Sequence, residues 1–315
     1  MKIVLLEQET IGTDLDLAPL YARGEVVCYL NTPPELVAER IRDADVVVLN
    51  KIKLHKENLS GAKRLKLICP AATGYDNIDT EYCREHGIAL CNVPGYSTDS
   101  VAQLTVTMAL ALVTRLQEYR DFVHSGQYTA SGVANRLTPA YHEISSMTWG
   151  VVGGGGIGNR VAEIAKTLGC RVLVCRRKQE GSFPLADMDT LCRECDILSF
   201  HVPLTEETRG MLSRERIAAM KKGAIVVNTA RGAVTDEQAL ADAVKSGHLG
   251  GLGVDVYSVE PFGKEHPFYS LLEDDHVCLT PHTAWAAVEA RTRCLEIIGE
   301  NIRCFFAGTP QNRIV

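Results

Sequence analysis

Short apolar runs alternate with amphipathic stretches along the chain. In the first third, five runs of three or four apolar residues have the length of buried strands. They are Ile3–Leu6, Val26–Tyr29, Val46–Leu49, Leu67–Cys69 and Ala89–Cys91. Amphipathic segments such as Pro34–Arg42 and Thr80–His86 separate several of them. Because apolar strands that alternate with helices are typical of a parallel sheet covered on both faces, this region predicts a small doubly wound α/β domain.

A second set of strand-like runs follows further along the chain. Six strands are predicted there, the number found in a dinucleotide-binding sheet. They are Trp149–Val152, Arg171–Cys175, Ile197–Phe200, Ala224–Asn228, Leu252–Val256 and Val277–Thr280. This part of the chain therefore predicts a Rossmann sheet.

Two long helices are expected to connect these sheets. A capping-box pattern at Ser100–Gln103 predicts a helix that begins there and continues to Leu116. The last helix, about Ala287–Phe306, is long enough to return to the first domain. We therefore expect two α/β domains with a cleft between them. Residues 1–98 and 287–315 form a flavodoxin-like substrate-binding domain, and residues 99–286 form an NAD(P)-binding Rossmann domain.

Composition argues against several classes of protein. The 315 residues carry 33 Lys and Arg against 39 Asp and Glu, and a net charge of -6 argues against nucleic acid as a partner. The longest mostly apolar stretch, Val101–Val113, is shorter than the roughly 20 residues of a membrane span. The apolar run at the N-terminus is too short for a signal peptide, so a cytoplasmic protein is expected.

Cysteine and histidine spacing predicts no metal site. Cys192 and Cys195 form a C-x-x-C, but no second pair lies at zinc spacing, so a structural role is expected for both. No cluster of His, Asp and Glu has ligand spacing either.

A glycine motif follows the first strand of the predicted Rossmann sheet. Gly153, Gly155 and Gly158 form G-x-G-x-x-G, and a helix is predicted over Asn159–Leu168. The first glycine permits a tight turn, the second lets the backbone approach a pyrophosphate, and the third lets helix and strand pack closely. The N–H groups of Gly156 and Ile157 would then face the phosphates. The motif predicts dinucleotide binding.

The end of the next strand selects between the two nicotinamide cofactors. An NAD enzyme normally has Asp or Glu there to bind the ribose hydroxyls. This chain has Arg176, followed by Arg177 and Lys178. Because a guanidinium can bind a 2′-phosphate bidentately, the sequence favours NADP(H) over NAD(H). The alternative is that these cations are solvated beside an NAD site.

Three polar segments follow three further strands. They contain Arg231, Glu260 and His282. Ligands of open α/β sheets bind at the carboxyl ends of the strands, so these side chains are expected to converge at the nicotinamide.

With these residues in place, the chain resembles the D-isomer-specific 2-hydroxyacid dehydrogenases. That family carries Arg, Glu and His in this order, in the A-R-G, E-P and P-H contexts found here. His201–Thr208 resembles the family's H-x-P-L-x-x-x-T segment, which implies cofactor contacts from His201, Pro203 and Thr208. Further stretches resemble glycerate dehydrogenases, also called hydroxypyruvate reductases: Asn50-Lys51, Ala72–Asp79, Asn92–Gln103 and His282–Trp285. Arg176 stands where most members of the family have Asp.

The chemistry of reducing a 2-keto acid assigns roles to the three residues. The planar fork of Arg231 can hold the carboxylate and polarise the carbonyl. His282 can donate the proton, because imidazole ordinarily titrates near working pH. Glu260 would favour the imidazolium and fix the ring.

The resemblance completes the predicted site. It implies that the backbone N–H groups of Thr73 and Gly74 bind the substrate carboxylate. Asp255 would face the nicotinamide carboxamide. Cofactor contacts are also expected from Thr229 and Ala284, and weaker ones from Thr105 and Ala230.

The resemblance also implies the activity. It points to a homodimer that reduces hydroxypyruvate or glyoxylate to D-glycerate or glycolate. Two alternatives stay open. One is the same chemistry on a bulkier 2-keto acid or on 3-phosphoglycerate. The other is a non-catalytic NAD(P)-sensing protein, because fold alone does not determine function.

Overall fold

The computed structural model describes residues 1–177 and 181–315. The chain divides into two compact units. The first contains Met1–Ser97 and Trp285–Val315, and the second contains Thr98–Ala284. Among the described residues, no helix is both long and apolar enough to cross a membrane.

The strands and helices are given in chain order. The strands are β1 Lys2–Leu5, β2 Glu25–Cys28, β3 Val46–Leu49, β4 Leu67–Pro70, β5 Ala89–Leu90, β6 Thr148–Val152, β7 Arg171–Cys175, β8 Ile197–Phe200, β9 Ala224–Asn228, β10 Leu249–Val254 and β11 Val277–Leu279. The helices are α1 Ala18–Tyr21, α2 Val37–Ile41, α3 Lys56–Leu59, α4 Thr80–Glu85, α5 Thr98–Val113, α6 Leu116–His124, α7 Gln127–Ser131, α8 Gly156–Thr167, α9 Met188–Glu194, α10 Arg214–Ala218, α11 Glu237–Lys245 and α12 Val288–Phe306.

The first unit is built on a parallel sheet with strand order β2-β1-β3-β4-β5. Successive residues of each strand point to opposite faces. In β3, Val46 and Val48 therefore pack into one apolar core with α12, while Val47 and Leu49 pack into another with α2. Both faces are covered, which is why this strand is an unbroken apolar run.

The second unit holds a parallel sheet with strand order β11-β10-β9-β8-β6-β7. Its two faces are covered in the same way by separate apolar cores. The prediction of two doubly wound parallel sheets is confirmed. Because all strands of a sheet run in one direction, their carboxyl ends form one edge, and the segments that follow β6 to β11 meet there.

Two predicted helix starts are wrong. Helix α5 begins at Thr98, so Ser100 lies inside the helix rather than at its N-cap. Its hydroxyl instead donates to the carbonyl of Ala284 at 2.6 Å. Helix α8 begins at Gly156, three residues before the predicted Asn159, because the glycines at its start adopt helical geometry. Strand β10 also begins earlier than predicted, at Leu249.

Candidate active site

The turn between β6 and α8 needs glycine at two positions for steric reasons. Gly153 has a φ of +108°, and a Cβ there would clash with the carbonyl of His201. A Cβ on Gly158 would lie far inside 3.0 Å of the Gly153 carbonyl oxygen, a separation that real Cβ atoms essentially never show. Helix and strand therefore approach as closely as the motif predicts.

The turn is open to solvent on the side of Gly155. A Cβ on Gly155 would meet nothing within 4 Å. The N–H groups of Gly156 and Ile157 lie in the first turn of α8, where a helix offers no internal acceptor. Asn159 fixes the turn, because its amide donates to the Gly154 carbonyl at 3.0 Å. An open backbone with aligned N–H donors at a helix start fits the pyrophosphate of a dinucleotide.

Arg176 follows β7 and lies against this turn. A Cβ added to Gly154 would meet the Arg176 side chain at 2.5 Å from Cδ. The guanidinium donates to the Phe183 carbonyl at 3.5 Å. Arg177 is largely exposed and lies 3.7 Å from Glu207. Lys178, the third cation of the predicted basic run, falls outside the described residues.

A chain of three hydrogen-bonding side chains ends at His201, after β8. The indole N–H of Trp149 donates to the Ser199 hydroxyl at 2.9 Å, and that hydroxyl lies 3.0 Å from Nε2 of His201. Since the hydroxyl accepts from Trp149, its own proton can go to Nε2, which leaves the imidazole proton on Nδ1. Burial lowers the pKa of His201 to about 3, so the ring is neutral. The enclosed Nδ1 has no hydrogen-bond partner among the described residues.

The rest of the His201–Thr208 segment is held by its own hydrogen bonds. The Thr208 hydroxyl donates to the Pro203 carbonyl at 2.6 Å and accepts from the Thr205 N–H at 2.8 Å. Thr208 therefore fixes the shape of the loop that carries His201 and Pro203 to the edge of the sheet.

Asn228 builds the turn that presents Arg231 after β9. This asparagine is fully buried. Its carbonyl oxygen accepts from the Ala230 N–H at 3.0 Å, and its amide donates to the Arg231 carbonyl at 2.9 Å. The Arg231 guanidinium also donates to the Ala230 carbonyl at 2.8 Å.

Thr105 lies beneath the same turn and is fully buried in α5. Its hydroxyl is 2.9 Å from that of Thr229. In this position Thr105 supports Thr229, and a direct cofactor contact from Thr105 stays a prediction.

Glu260 and His282 form a close pair. Nδ1 of His282 lies 2.6 Å from Oε2 of Glu260, and the two side chains are 25% and 30% exposed. The other carboxylate oxygen of Glu260 accepts from the Tyr257 N–H at 3.0 Å. Because Glu260 occupies Nδ1, Nε2 is the nitrogen through which His282 can exchange a proton with a substrate.

Asp255 holds the segment on both sides of His282. Its buried carboxylate accepts from the Thr280 hydroxyl at 2.5 Å, the Thr283 N–H at 2.8 Å and the Ala284 N–H at 2.9 Å. Burial raises the pKa of Asp255, although these hydrogen bonds oppose the shift. The predicted carboxamide contact stays a prediction, but Asp255 has a structural task that the sequence did not reveal.

The predicted carboxylate-binding loop lies in the first unit, after β4. The Thr73 hydroxyl donates to the Val93 carbonyl at 2.8 Å, and the Asn92 amide donates to the Thr73 carbonyl at 2.8 Å. These two bonds fix Thr73 and the plane of the peptide that joins it to Gly74. In the described part of the chain, no acceptor pairs with the N–H groups of Thr73 and Gly74. Both donors can therefore bind an anion.

The C-x-x-C cysteines lie away from this chemistry. Cys192 and Cys195 are fully buried, and burial raises their pKa values to about 11 and about 12. Buried thiols of this kind are poor nucleophiles. Across residues 1–177 and 181–315, no group of three or more His, Cys, Asp and Glu could hold a metal ion.

Sequence reasoning missed the residues that hold the site in shape. Asn92, Asn228 and Ser199 are buried polar side chains, and each has a partner that the fold supplies. The one usable signal is a polar residue beside an apolar strand, because such a residue must be hydrogen-bonded if it is buried.

Comparisons with known proteins identify relatives of this chain. Residues 106–284, most of the second unit, match the family model "D-isomer specific 2-hydroxyacid dehydrogenase, NAD binding domain". A glycerate dehydrogenase of Methylorubrum extorquens is 33% identical over 313 residues, which cover 99% of this chain and 98% of the relative. A glyoxylate reductase of Thermococcus litoralis is 37% identical over 291 residues, covering 90% of this chain and 87% of the relative.

A solved structure extends the likeness to three dimensions. It is an acyclic imino acid reductase (Bsp5) in complex with NADPH and D-Arg, with a TM-score of 0.87, 27% sequence identity and full coverage of both chains. The family model alone matches more than half of the sequence, and the glycerate dehydrogenase aligns along nearly all of it. The chain therefore belongs to the D-isomer-specific 2-hydroxyacid dehydrogenase family.

Proposed function

We propose that this protein reduces hydroxypyruvate or glyoxylate to D-glycerate or glycolate and uses NADPH in preference to NADH. The observation that carries the reaction type is the 2.6 Å pair of His282 and Glu260 at the sheet edge that also presents Arg231 and the glycine turn. The small substrate is supported by the relatives, which are named glycerate dehydrogenase, hydroxypyruvate reductase and glyoxylate reductase.

The reaction adds a hydride to the carbonyl carbon and a proton to the carbonyl oxygen. The nicotinamide would supply the hydride. His282 delivers the proton from Nε2, because Glu260 is bonded to Nδ1 and fixes the orientation of the ring. Arg231 binds the substrate carboxylate through its planar fork and polarises the adjacent carbonyl. From the family resemblance we propose that the backbone N–H groups of Thr73 and Gly74 also serve as donors to a substrate carboxylate.

Three residues around the glycine turn are proposed as further cofactor contacts. The open backbone at Gly155 and the N–H donors of Gly156 and Ile157 suit the pyrophosphate. Contacts from His201, Pro203, Thr208, Thr229, Ala230, Asp255 and Ala284 are proposed from the family resemblance together with their places on the same sheet edge.

The proposed preference for NADPH rests on Arg176. It packs against Gly154 of the turn, and the imino acid reductase of similar fold was solved with NADPH. Arg176→Ser should lower kcat/KM for NADPH about tenfold or more, because a charge-assisted hydrogen bond contributes about 1.5–3 kcal/mol. The value for NADH should change less than about threefold. Arg171→Ser is the matched control, since Arg171 begins the same strand and pairs with the surface residue Glu194. A wild-type enzyme with higher kcat/KM for NADH would overturn the preference.

A homodimer is proposed from the exposed apolar surface of residues 116–141. Six large apolar side chains there are 40% to 78% exposed, far more than a solvated surface of this length needs. They are Leu116, Val123, Tyr128, Val133, Leu137 and Tyr141. A second copy of the chain is the proposed partner. Leu137→Glu should shift the sedimentation of the protein toward the monomer, whereas a wild-type protein that sediments as a monomer would contradict the proposal.

The deciding experiment follows the absorbance of the reduced nicotinamide with purified protein. Hydroxypyruvate, glyoxylate, pyruvate and bulkier 2-keto acids are compared, each with NADPH and with NADH. Rapid NADPH oxidation with hydroxypyruvate or glyoxylate is the expected result. Turnover of a bulky keto acid alone would keep the chemistry and replace the substrate. Cofactor binding without any turnover would favour a sensing protein. The cytoplasmic location stays a prediction of the sequence.

A further inference from the structure

We propose that Glu237 is a positioning residue that sets the geometry of Arg231, Glu260 and His282 through Tyr257 and Ser258. The proposal rests on the function proposed above, in which those three residues carry the reaction. Glu237 itself is the first residue of α11 and touches none of the groups expected to react.

The Glu237 carboxylate accepts two hydrogen bonds from Ser258. Oε1 accepts from the Ser258 N–H at 2.9 Å, and Oε2 accepts from the Ser258 hydroxyl at 2.5 Å. The side chain is only 10% exposed. Helix capping does not explain this placement, because Asp236 caps α11 by accepting from the Ala239 N–H at 2.9 Å. Two bonds to one residue fix both its position and its orientation.

His266 holds the same carboxylate from the other side. Its Nε2 lies 3.0 Å from Oε2 of Glu237, and its side chain is 6% exposed. Nδ1 of His266 accepts from the Phe268 N–H at 3.3 Å, so the ring proton is on Nε2 and points at Glu237. The rings of Tyr257 and Phe262 enclose the imidazole, with centroids 5.9 Å and 4.9 Å away. The carboxylate thus accepts from three donors in a nearly closed site, as a buried polar group requires.

The Tyr257–Ser258 peptide contacts the Arg231 turn directly. A Cβ added to Gly232 would collide with the Ser258 nitrogen and the Tyr257 carbonyl carbon. Glycine at position 232 therefore allows the turn after Arg231 to pack directly against the Tyr257–Ser258 peptide. A shift of the peptide would move the Arg231 backbone.

Tyr257 also contacts Glu260 and the His282 segment. The Tyr257 N–H donates to Oε1 of Glu260 at 3.0 Å. The Tyr257 phenol donates to the Thr280 carbonyl at 2.9 Å, and that carbonyl also accepts from the His282 N–H at 3.1 Å. Burial raises the pKa of the Tyr257 phenol, so the hydroxyl keeps its proton at working pH. Tyr257 and Ser258, fixed by Glu237, thus contact all three segments that carry the proposed catalytic residues.

Glu237→Gln tests the proposal with little change in shape, because glutamine keeps the volume and loses the charge. We expect kcat to fall about tenfold, while KM for NADPH changes less than about twofold, since the cofactor turn lies on other strands. Glu215→Gln is the matched control: Glu215 also accepts from a serine hydroxyl near a helix start, with Oε2 2.7 Å from Ser213 Oγ, and should leave kcat unchanged. Ser258→Ala removes one of the two donors and should give a smaller loss of about threefold.

A double-mutant cycle distinguishes positioning from general destabilisation. If Glu237 acts through Glu260, Glu237→Gln should cost less than about threefold in a Glu260→Gln background. An equal cost in both backgrounds, or no loss of kcat in Glu237→Gln, would overturn the proposal.

A second readout does not depend on activity. In protein with 15N-labelled histidine, the Nδ1–H of His282 should give a downfield proton resonance, identified by its loss in His282→Gln. That resonance should shift or broaden in Glu237→Gln and stay in place in Glu215→Gln. An unchanged resonance would refute the positioning role. Absence of wild-type turnover would instead refute the proposed function, and the resonance would still decide the role of Glu237.

Discussion

Alanine substitutions at two glycines of the turn between β6 and α8 should affect different properties: Gly158→Ala should lower the stability, and Gly155→Ala should weaken cofactor binding. Gly158→Ala places a Cβ far inside 3.0 Å of the Gly153 carbonyl oxygen. Gly153 itself is held beside β7, because its N–H donates to the Cys175 carbonyl at 2.8 Å. Helix α8 must therefore move off the sheet. Overpacking of this kind costs about 1–3 kcal/mol, and a backbone contact belongs at the upper end. Because alanine favours the helix by about 1 kcal/mol over glycine, the net decrease in the free energy of unfolding should be about 2 kcal/mol.

Gly155→Ala should leave the stability almost unchanged. Its backbone, with φ −78° and ψ −169°, is allowed for alanine, and its Cβ would meet nothing within 4 Å. Alanine is a poorer N-cap residue than glycine, which lowers the stability slightly, but it also lowers the entropy of the unfolded chain, which raises the stability. We therefore expect the free energy of unfolding to change by less than about 0.5 kcal/mol. The methyl group would instead occupy the open side of the turn, where we propose that the pyrophosphate binds. Cofactor affinity should fall about tenfold or more.

Urea unfolding without cofactor and calorimetric titration with NADPH separate the two effects. Gly158→Ala should lower the free energy of unfolding, and Gly155→Ala should raise Kd alone. The steric argument fails if Gly158→Ala is as stable as the wild type. The proposed phosphate site fails if Gly155→Ala binds NADPH with the wild-type Kd.

Three further substitutions test individual residues. His282→Ala should abolish keto-acid reduction while NADPH still binds in a calorimetric titration; near-normal turnover would exclude His282 as the proton donor. The folded pKa of His201, about 3 against an ordinary 6.5, is depressed, so its stabilising effect is present above pH 6.5 and is lost as the pH falls toward 3. From pH 7 to pH 5 the loss should be about 2 kcal/mol, and it should be missing from urea unfolding of His201→Asn; equal pH slopes would contradict this. Asp255→Asn keeps one of two acceptor oxygens, so it should lower the free energy of unfolding by about 2 kcal/mol and reduce kcat; an unchanged kcat would show that the His282 segment needs no such support.

The fold was predictable because its signals are local. The unbroken run Val46–Leu49 is fully buried in β3, as expected for a strand covered on both faces. The need for glycine at 158 was equally local, since its steric partner is Gly153, whereas Gly153 itself also lies against the distant His201 carbonyl. Wherever the pattern and its physical cause share one short segment, the sequence was sufficient.

Helix starts were less predictable because distant contacts compete with local capping. Ser100 fits a capping box, yet its hydroxyl donates to Ala284, which is 184 residues away in the chain. The helix is then free to begin at Thr98. A local motif predicts a cap only when no stronger partner is available, and the sequence does not show that partner.

The residues that position the candidate site could not be predicted from the sequence, because their contacts join segments that are distant in the chain. Glu237 and Ser258 are 21 residues apart and lie on different elements. Each looks like an ordinary polar residue of a helix start or a loop. Only the parallel arrangement of β9 and β10 brings their segments together at one edge of the sheet.

Asp255 illustrates how one position can serve two purposes. Its place after β10 predicts a ligand contact, and the same place puts its carboxylate beside the segment that follows β11. His282 has a φ of +53°, a left-handed conformation that costs a residue other than glycine about 1–2 kcal/mol. The bonds from Thr280, Thr283 and Ala284 to Asp255 bracket this strained residue and offset the cost. The proposed proton donor is thus held in a conformation that a residue other than glycine disfavours, because the buried Asp255 carboxylate after the neighbouring strand stabilises it.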